Sequence, residues 1–295
     1  MKRLLTIIAA AALCAAASAQ KPAKLDVAAD EVVVRWNNAT APHSSEEMRD
    51  EEVSKAGGVS RVTETVFYVF KADKEKATGR AVVIFPGGGY SRVNVGSCSL
   101  AKWFKANGVT AVVVKYRLPN GHPIVPLEDA QEALRYTREH AEEWNLDPAK
   151  VGVCGSSAGG HLAAYVSTFT PDAQKPAFTI LYYAVISGTF NTTQTGTYRY
   201  LLEPGGLGSA ALRNEYSLDN HVTATTPPTL LLCCHDDPGT PSLNSIKYYK
   251  ALKEHGVKAS LHIYPEGGHG WVSKEKLPCA VDARKQILDW FSKLN

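Results

Sequence analysis

An α/β fold, with a mainly parallel central sheet covered by helices on both faces, is what this sequence of 295 residues predicts. Three observations carry it. Short β-branched and aromatic runs alternate with helical stretches from Val62 onward, which is the pattern of strands joined by crossover helices. Several of those runs are apolar throughout, as strands covered on both faces should be. The alternation fails once, between Ser187 and Pro228, where an irregular insertion precedes the penultimate strand.

In chain order, strands are expected over residues 65–71, 80–85, 110–115, 151–154, 178–184, 229–233 and 259–264. The helical stretches between and after them are 100–107, 127–143, 158–168, 243–255 and 280–293. The insertion is rich in Gly, Thr, Asn and Pro, and only 198–202 and 207–216 suggest short helices. An irregular segment of that length in a compact domain is usually functional or loose. Residues 62–295 are therefore expected to form one domain, and residues 20–61, polar and irregular with Pro22, Pro42 and the charged run 46–52, an N-terminal arm on its surface.

Residues 1–19 have the character of a removable export signal. Lys2 and Arg3 start it, an apolar run follows, and Ala17-Ser18-Ala19 supplies a small-x-small cleavage pattern. That run is too short to span a bilayer. Leu13 stands where lipid attachment to Cys14 would want a small residue, so Cys14 is assigned to the signal and not to an anchor. A periplasmic or secreted protein is the expectation, with no membrane insertion once the signal is gone.

Without Lys2 and Arg3 the chain carries 30 basic and 29 acidic side chains, a near balance that argues against nucleic acid or an anionic membrane as partner. With 44% hydrophobic residues there is material for a sizeable core. Cys98, Cys154, Cys233, Cys234 and Cys279 are an odd, scattered set, read as small buried hydrophobes and not as a disulfide framework.

The chemistry is concentrated in four loops. Gly155-Ser156-Ser157-Ala158-Gly159 matches G-x-S-x-G directly between an expected strand and an expected helix, the setting in which a strained turn projects a nucleophilic serine, Ser157, above a sheet edge. Pro86-Gly87-Gly88-Gly89-Tyr90 follows the strand 80–85, and its glycines free backbone N–H groups to face a developing oxyanion. Gly88, Gly89 and the N–H of Ala158 are the candidate donors. Phosphate cradling fits less well, because neither Gly-Lys-Ser/Thr nor the G-x-G-x-x-G spacing is present.

The base is expected on a late loop, and His269 in Glu266-Gly267-Gly268-His269-Gly270-Trp271 has glycines on both sides. His161 follows the serine turn and is expected against the sheet, while His43, His122, His140, His221 and His255 look solvated. The acid comes from His235-Asp236-Asp237-Pro238 after the strand 229–233, where a carboxylate would orient the imidazole. Asp237 is favoured over Asp236, because it opens a turn ending at Pro241. A metal site is not supported, since no second histidine stands at ligand spacing and His-Glu-x-x-His is missing.

Taken with Lys115-Tyr116-Arg117-Leu118-Pro119, Pro126-Leu127-Glu128-Asp129-Ala130-Gln131 and Thr226-Pro227-Pro228-Thr229, these loops resemble the α/β-hydrolase esterases from about Thr65 to the C-terminus. Within them the chain is similar to the secreted bacterial group of acetyl xylan esterase-like and hormone-sensitive-lipase-like enzymes. The resemblance implies a serine hydrolase with Ser157, Asp237 and His269 as triad, no cofactor, and an oligosaccharide or small-molecule ester as substrate. Three departures stand out: Pro86 replaces a histidine that lipase-like relatives often carry, Cys233-Cys234-His235 replaces a His-Gly pair, and Val95-Gly96-Ser97-Cys98 lacks an acidic residue.

The leading expectation is removal of acetyl groups from xylan or related plant polysaccharides. A feruloyl or aryl esterase, a serine peptidase and an inactive glycan-binding module on the same fold are the alternatives. The hydroxyl- and amide-rich run 189–195 suits a sugar rim, and Tyr90, Tyr198 and Trp271 are expected to offer flat faces to a pyranose ring.

Overall fold

The computed structural model describes residues 25–47, 49–96, 98–189, 195–203 and 208–294. The strands are β1 (Glu31–Asn37), β2 (Glu52–Val53), β3 (Gly58–Ser60), β4 (Glu64–Phe70), β5 (Ala81–Phe85), β6 (Arg92–Asn94), β7 (Thr110–Lys115), β8 (Val151–Ser156), β9 (Thr179–Tyr182), β10 (Thr229–Cys234) and β11 (Ala259–Tyr264). The helices are α1 (Ser99–Ala106), α2 (Ile124–Glu139), α3 (Ala158–Phe169), α4 (Thr195–Leu202), α5 (Ala210–Glu215), α6 (Leu243–Glu254) and α7 (Pro278–Lys293). Each strand and helix expected from the pattern has its counterpart here, and α4 and α5 fall where the insertion suggested short helices.

Eight strands form the main sheet in the order β1-β4-β7-β5-β8-β9-β10-β11; the pairs β1–β4 and β4–β7 are antiparallel, and every pair from β7 across to β11 is parallel. The middle strands β5, β7, β9 and β10 are buried at every residue, which their unbroken Val, Ile and Leu runs require. From β5 the chain steps outward to β7 and then returns across β5 to β8. Right-handed crossovers therefore place α1 on one face and α2 on the other. Phe104 of α1 meets Phe291 of α7 with ring centroids 6.3 Å apart, which closes the first layer. The C-terminal ends of β5 and β8, adjacent strands from which the chain leaves in opposite directions, are the switch point where open α/β sheets bind ligands.

The N-terminal arm departs from expectation. Residues 31–37 are not irregular but form β1, an edge strand paired antiparallel with β4, and 52–53 and 58–60 join β6 in a second, three-stranded sheet. Val32 and Val34 remain more than half exposed, while Val33 between them packs partly against the core, so β1 buries little apolar surface. Polar contacts dock it: Trp36 Nε1 donates to Asp129 Oδ1 at 2.7 Å, and Arg35 pairs with Glu132. Those partners lie more than ninety residues away on α2, a relation that hydropathy does not register.

Beneath β1 lies a fully buried ion pair. Arg117 and Asp129 are both inaccessible to solvent, and Asp129 accepts the Arg117 backbone N–H at 2.7 Å as well as its guanidinium at 2.7 and 3.0 Å. This joins the end of β7 to α2. The five described cysteines are buried free thiols, and among the described residues no helix is long and apolar enough to cross a membrane.

Candidate active site

Ser157 caps α3 immediately after β8, with φ 56° and ψ −122°, a conformation a serine adopts only under constraint. The constraint is visible on both sides of the residue. Its N–H donates to Tyr182 O at 3.0 Å, and its carbonyl accepts Val185 N at 3.1 Å and His161 N at 3.0 Å. The turn also needs close backbone approach: a Cβ on Gly159 would lie 2.0 Å from Phe85 O. The small neighbours in the serine motif thus let α3 start directly against β5.

The glycine run after β5 reaches the same point. A Cβ on Gly87 would meet Ser157 Cβ at 3.1 Å, so Gly87 and its successors Gly88 and Gly89 border the serine turn. Ala158 opens α3, where backbone N–H groups have no partner within the helix.

From the ends of β10 and β11 come the acid and the imidazole. Asp237 is 5% exposed; its Oδ1 accepts Gly239 N at 2.7 Å and Thr240 N at 2.8 Å, and its Oδ2 lies 2.8 Å from His269 Nδ1. His269 Nε2 stands 3.1 Å from Ser157 Oγ. With a carboxylate at Nδ1, that nitrogen carries the proton and Nε2 is left as the acceptor facing the serine hydroxyl. Asp236, exposed, turns away and accepts Gly268 N at 2.8 Å and Gly267 N at 3.2 Å. His235 is likewise exposed, and among the described residues no group of three or more His, Cys, Asp or Glu is placed to hold a metal ion.

A cavity of about 890 Å³ opens over Ser157 and His269. Its inner wall is apolar: Ile84, Val113 and Cys154 lie side by side across β5, β7 and β8. Its more exposed part carries Ser91, Arg92, Asn94, Tyr200 and Ser273.

The sequence pattern of a family described as alpha/beta hydrolase fold matches residues 82–273. The chain belongs to this family. Among its relatives, an acetylxylan esterase of Xylanibacter ruminicola is 37% identical over 201 residues, covering 67% of this chain and 42% of that protein. The carboxylesterase NlhH of Mycobacterium tuberculosis is 31% identical over 149 residues, covering 49% of this chain and 46% of that protein. This hydrolase-fold chain thus spans less than half the length of these curated relatives. A solved structure, an acetyl ester-xyloside bifunctional hydrolase from Caldicellulosiruptor lactoaceticus, superposes with TM-score 0.75 at 31% identity, covering 90% of this chain and 97% of that one.

Three expected sugar contacts are corrected by burial. Tyr90 and Trp271 are 1% and 0% exposed, and neither borders the cavity, so neither offers a face to a sugar ring; Tyr198, at 0%, is the same. Tyr90 instead donates its hydroxyl to His161 Nδ1 at 3.1 Å, and Trp271 packs edge-on against Tyr182 and Tyr264. His161 is fully buried, as its position after the serine turn suggested. The exposed aromatic at the cavity is Tyr200 on α4. In the run 189–195, residues 190–194 lie outside the described residues.

Tyr183 is a site residue that sequence reasoning missed. It sits at φ 35° just past β9, its ring centroid is 4.8 Å from that of His269, and its hydroxyl accepts Val272 N at 3.4 Å. Its ring lies against the imidazole and its hydroxyl holds the chain just after the histidine. No motif marks it, because it reaches the site from the end of a strand that carries no recognisable loop signature.

Proposed function

We propose that this chain is a serine esterase that hydrolyses carboxylic esters through an acyl-enzyme on Ser157. The observation that carries the reading is the continuous chain Asp237–His269–Ser157, with contacts of 2.8 and 3.1 Å, at the switch point of the sheet. In this reading Ser157 Oγ adds to the ester carbonyl while His269 Nε2 takes its proton. The negative charge that collects on the carbonyl oxygen meets the N–H groups of Ala158, Gly88 and Gly89. Collapse expels the alcohol, protonated by His269, and leaves the acyl group on Ser157. Water then enters, gives its proton to His269 and releases the acid, while the proton returns to Ser157. Asp237 keeps Nδ1–H in place and stabilises the imidazolium in each half.

The substrate favoured is acetylated xylan or its oligosaccharides. Two proteins similar to this chain carry that chemistry in their names, and the cavity pairs an apolar inner wall suited to a short acyl group with a hydroxyl-bearing outer part suited to a sugar. Tyr200 replaces the buried rings as the surface on which a pyranose stacks.

The test compares kcat/KM on acetyl, butyryl and octanoyl nitrophenyl esters, with acetate release from acetylated xylo-oligosaccharides and ferulate release from methyl ferulate. Preference for acetyl esters with acetate release is the expected result. Preference for octanoate, or ferulate release alone, overturns the deacetylase reading. Labelling by a fluorophosphonate that is lost in Ser157→Ala tests the nucleophile separately.

We further propose export, with residues 1–19 removed. The mature N-terminus from the native host is then Gln20, and a chain beginning at Met1 contradicts it.

A further inference from the structure

Arg92 has no acidic partner. Among the described residues its side chain makes no ion pair or hydrogen bond, as is true also of Arg199 on α4, whereas the guanidinium groups of Arg35, Arg49, Arg61, Arg80, Arg117, Arg135, Arg138 and Arg284 are engaged. None of the residues outside the described set is Asp or Glu. Glu52, on the same three-stranded sheet, is committed to Arg61.

The place of this unpaired charge is specific. Arg92 lines the cavity over Ser157, and none of the residues lining that cavity is Asp or Glu. Its aliphatic stem is held against the glycine run: a Cβ on Gly88 would touch Arg92 Cγ at 3.0 Å, and one on Gly58 would meet its Cδ at 3.3 Å. In β6 the burial alternates, with Val93 inward and Arg92 and Asn94 both outward to solvent. A guanidinium and an amide therefore stand side by side on the open part of the cavity, away from the apolar wall of Ile84, Val113 and Cys154.

We infer that Arg92, with Asn94 beside it, forms a carboxylate subsite for the alcohol portion of the substrate, so that the preferred esters are those of an acidic, uronic-acid-bearing oligosaccharide. This rests on the esterase reading above and adds the charge of the substrate to it. The outward position assigns the carboxylate to the sugar side, because the acyl group enters the apolar wall. A planar guanidinium with free N–H donors accepts a carboxylate in two parallel hydrogen bonds, a geometry that a lysine cannot reproduce.

The test measures binding and turnover separately. Calorimetric titration of Ser157→Ala protein with xylo-oligosaccharides that carry or lack one glucuronic acid branch is expected to show about fivefold tighter binding of the acidic form at low salt. The same preference should appear in kcat/KM for the acetylated pair with the wild type. Arg92→Gln should bring both ratios to within twofold of unity, Arg92→Lys should retain part of them, and 0.5 M NaCl should erode them in the wild type. Equal binding of the two oligosaccharides by the Ser157→Ala protein, or a preference that Arg92→Gln leaves intact, overturns the subsite. A preference in binding without acetate release from either substrate removes the deacetylase reading and leaves the subsite standing.

Discussion

Asp236 and Asp237, neighbours in the chain, hold one loop from two directions: Asp236 accepts the N–H groups of Gly267 and Gly268, and Asp237 accepts Nδ1 of His269. The peptide between them marks the change from an exposed to a buried carboxylate. Only the second can fix the imidazole tautomer.

Asp237→Asn should therefore lower kcat on an activated acetate ester about a thousandfold or more, since the amide can present a donor where Nδ1–H needs an acceptor. Asp236→Asn keeps an acceptor oxygen for the loop and should lose less than tenfold. Steady-state kinetics of the two purified variants decide it. A more severe loss in Asp236→Asn would reverse the assignment.

Gly267 is the point at which the histidine loop passes over two thiols. A Cβ there would lie 2.5 Å from Cys234 Sγ and 2.8 Å from Cys279 Sγ, both buried. Gly267→Ala should displace the loop, reducing kcat at least tenfold and stability by about 1–3 kcal/mol. Thermal unfolding and kcat on nitrophenyl acetate measure the two effects, and Gly267→Ala in a Cys279→Ala background should recover part of both.

The buried pair under β1 gives a stability prediction remote from the chemistry. Asp129→Asn leaves the Arg117 guanidinium buried with less compensation and should cost about 3 kcal/mol in urea unfolding. Retention of the wild-type midpoint would show that Glu128, 3.0 Å from Arg117, suffices alone.

His161 gives a pH dependence. Burial pushes its imidazole down to about 4, and the ring sits between Tyr90 OH at 3.1 Å and Tyr216 O at 3.2 Å. Because the folded value lies below the unfolded one, the unfolded chain binds the extra proton first. Stability from this group is present above about pH 6.5 and is lost as pH falls toward 4, by roughly 3 kcal/mol over that window. The measurement is the urea midpoint against pH for wild type and His161→Gln; the variant should show a shallower decline between those limits.

Much of the molecule is legible in the sequence. Unbroken apolar runs such as 110–115 and 229–233 can be buried on both faces only in a covered parallel sheet, and glycines flanking Ser157 between a strand and a helix specify a tight turn there. Both are local properties, written in consecutive residues. What the tertiary structure decided depends on residues far apart in the chain. Edge strand β1 pairs with β4, packs Val33 on the core and is tied down where Trp36 and Arg35 find Asp129 and Glu132 on α2, and Val32 and Val34 give no sign of it by remaining exposed. Tyr90 and Trp271 were expected at a sugar, yet an aromatic ring next to a catalytic-looking loop packs inward as readily as outward, and burial of so large an apolar area favours the core. Tyr200, Tyr183 and Arg92 face the cavity for the converse reason: the strand and helix ends that carry them converge there only after the sheet has formed, and no spacing in the sequence encodes that convergence.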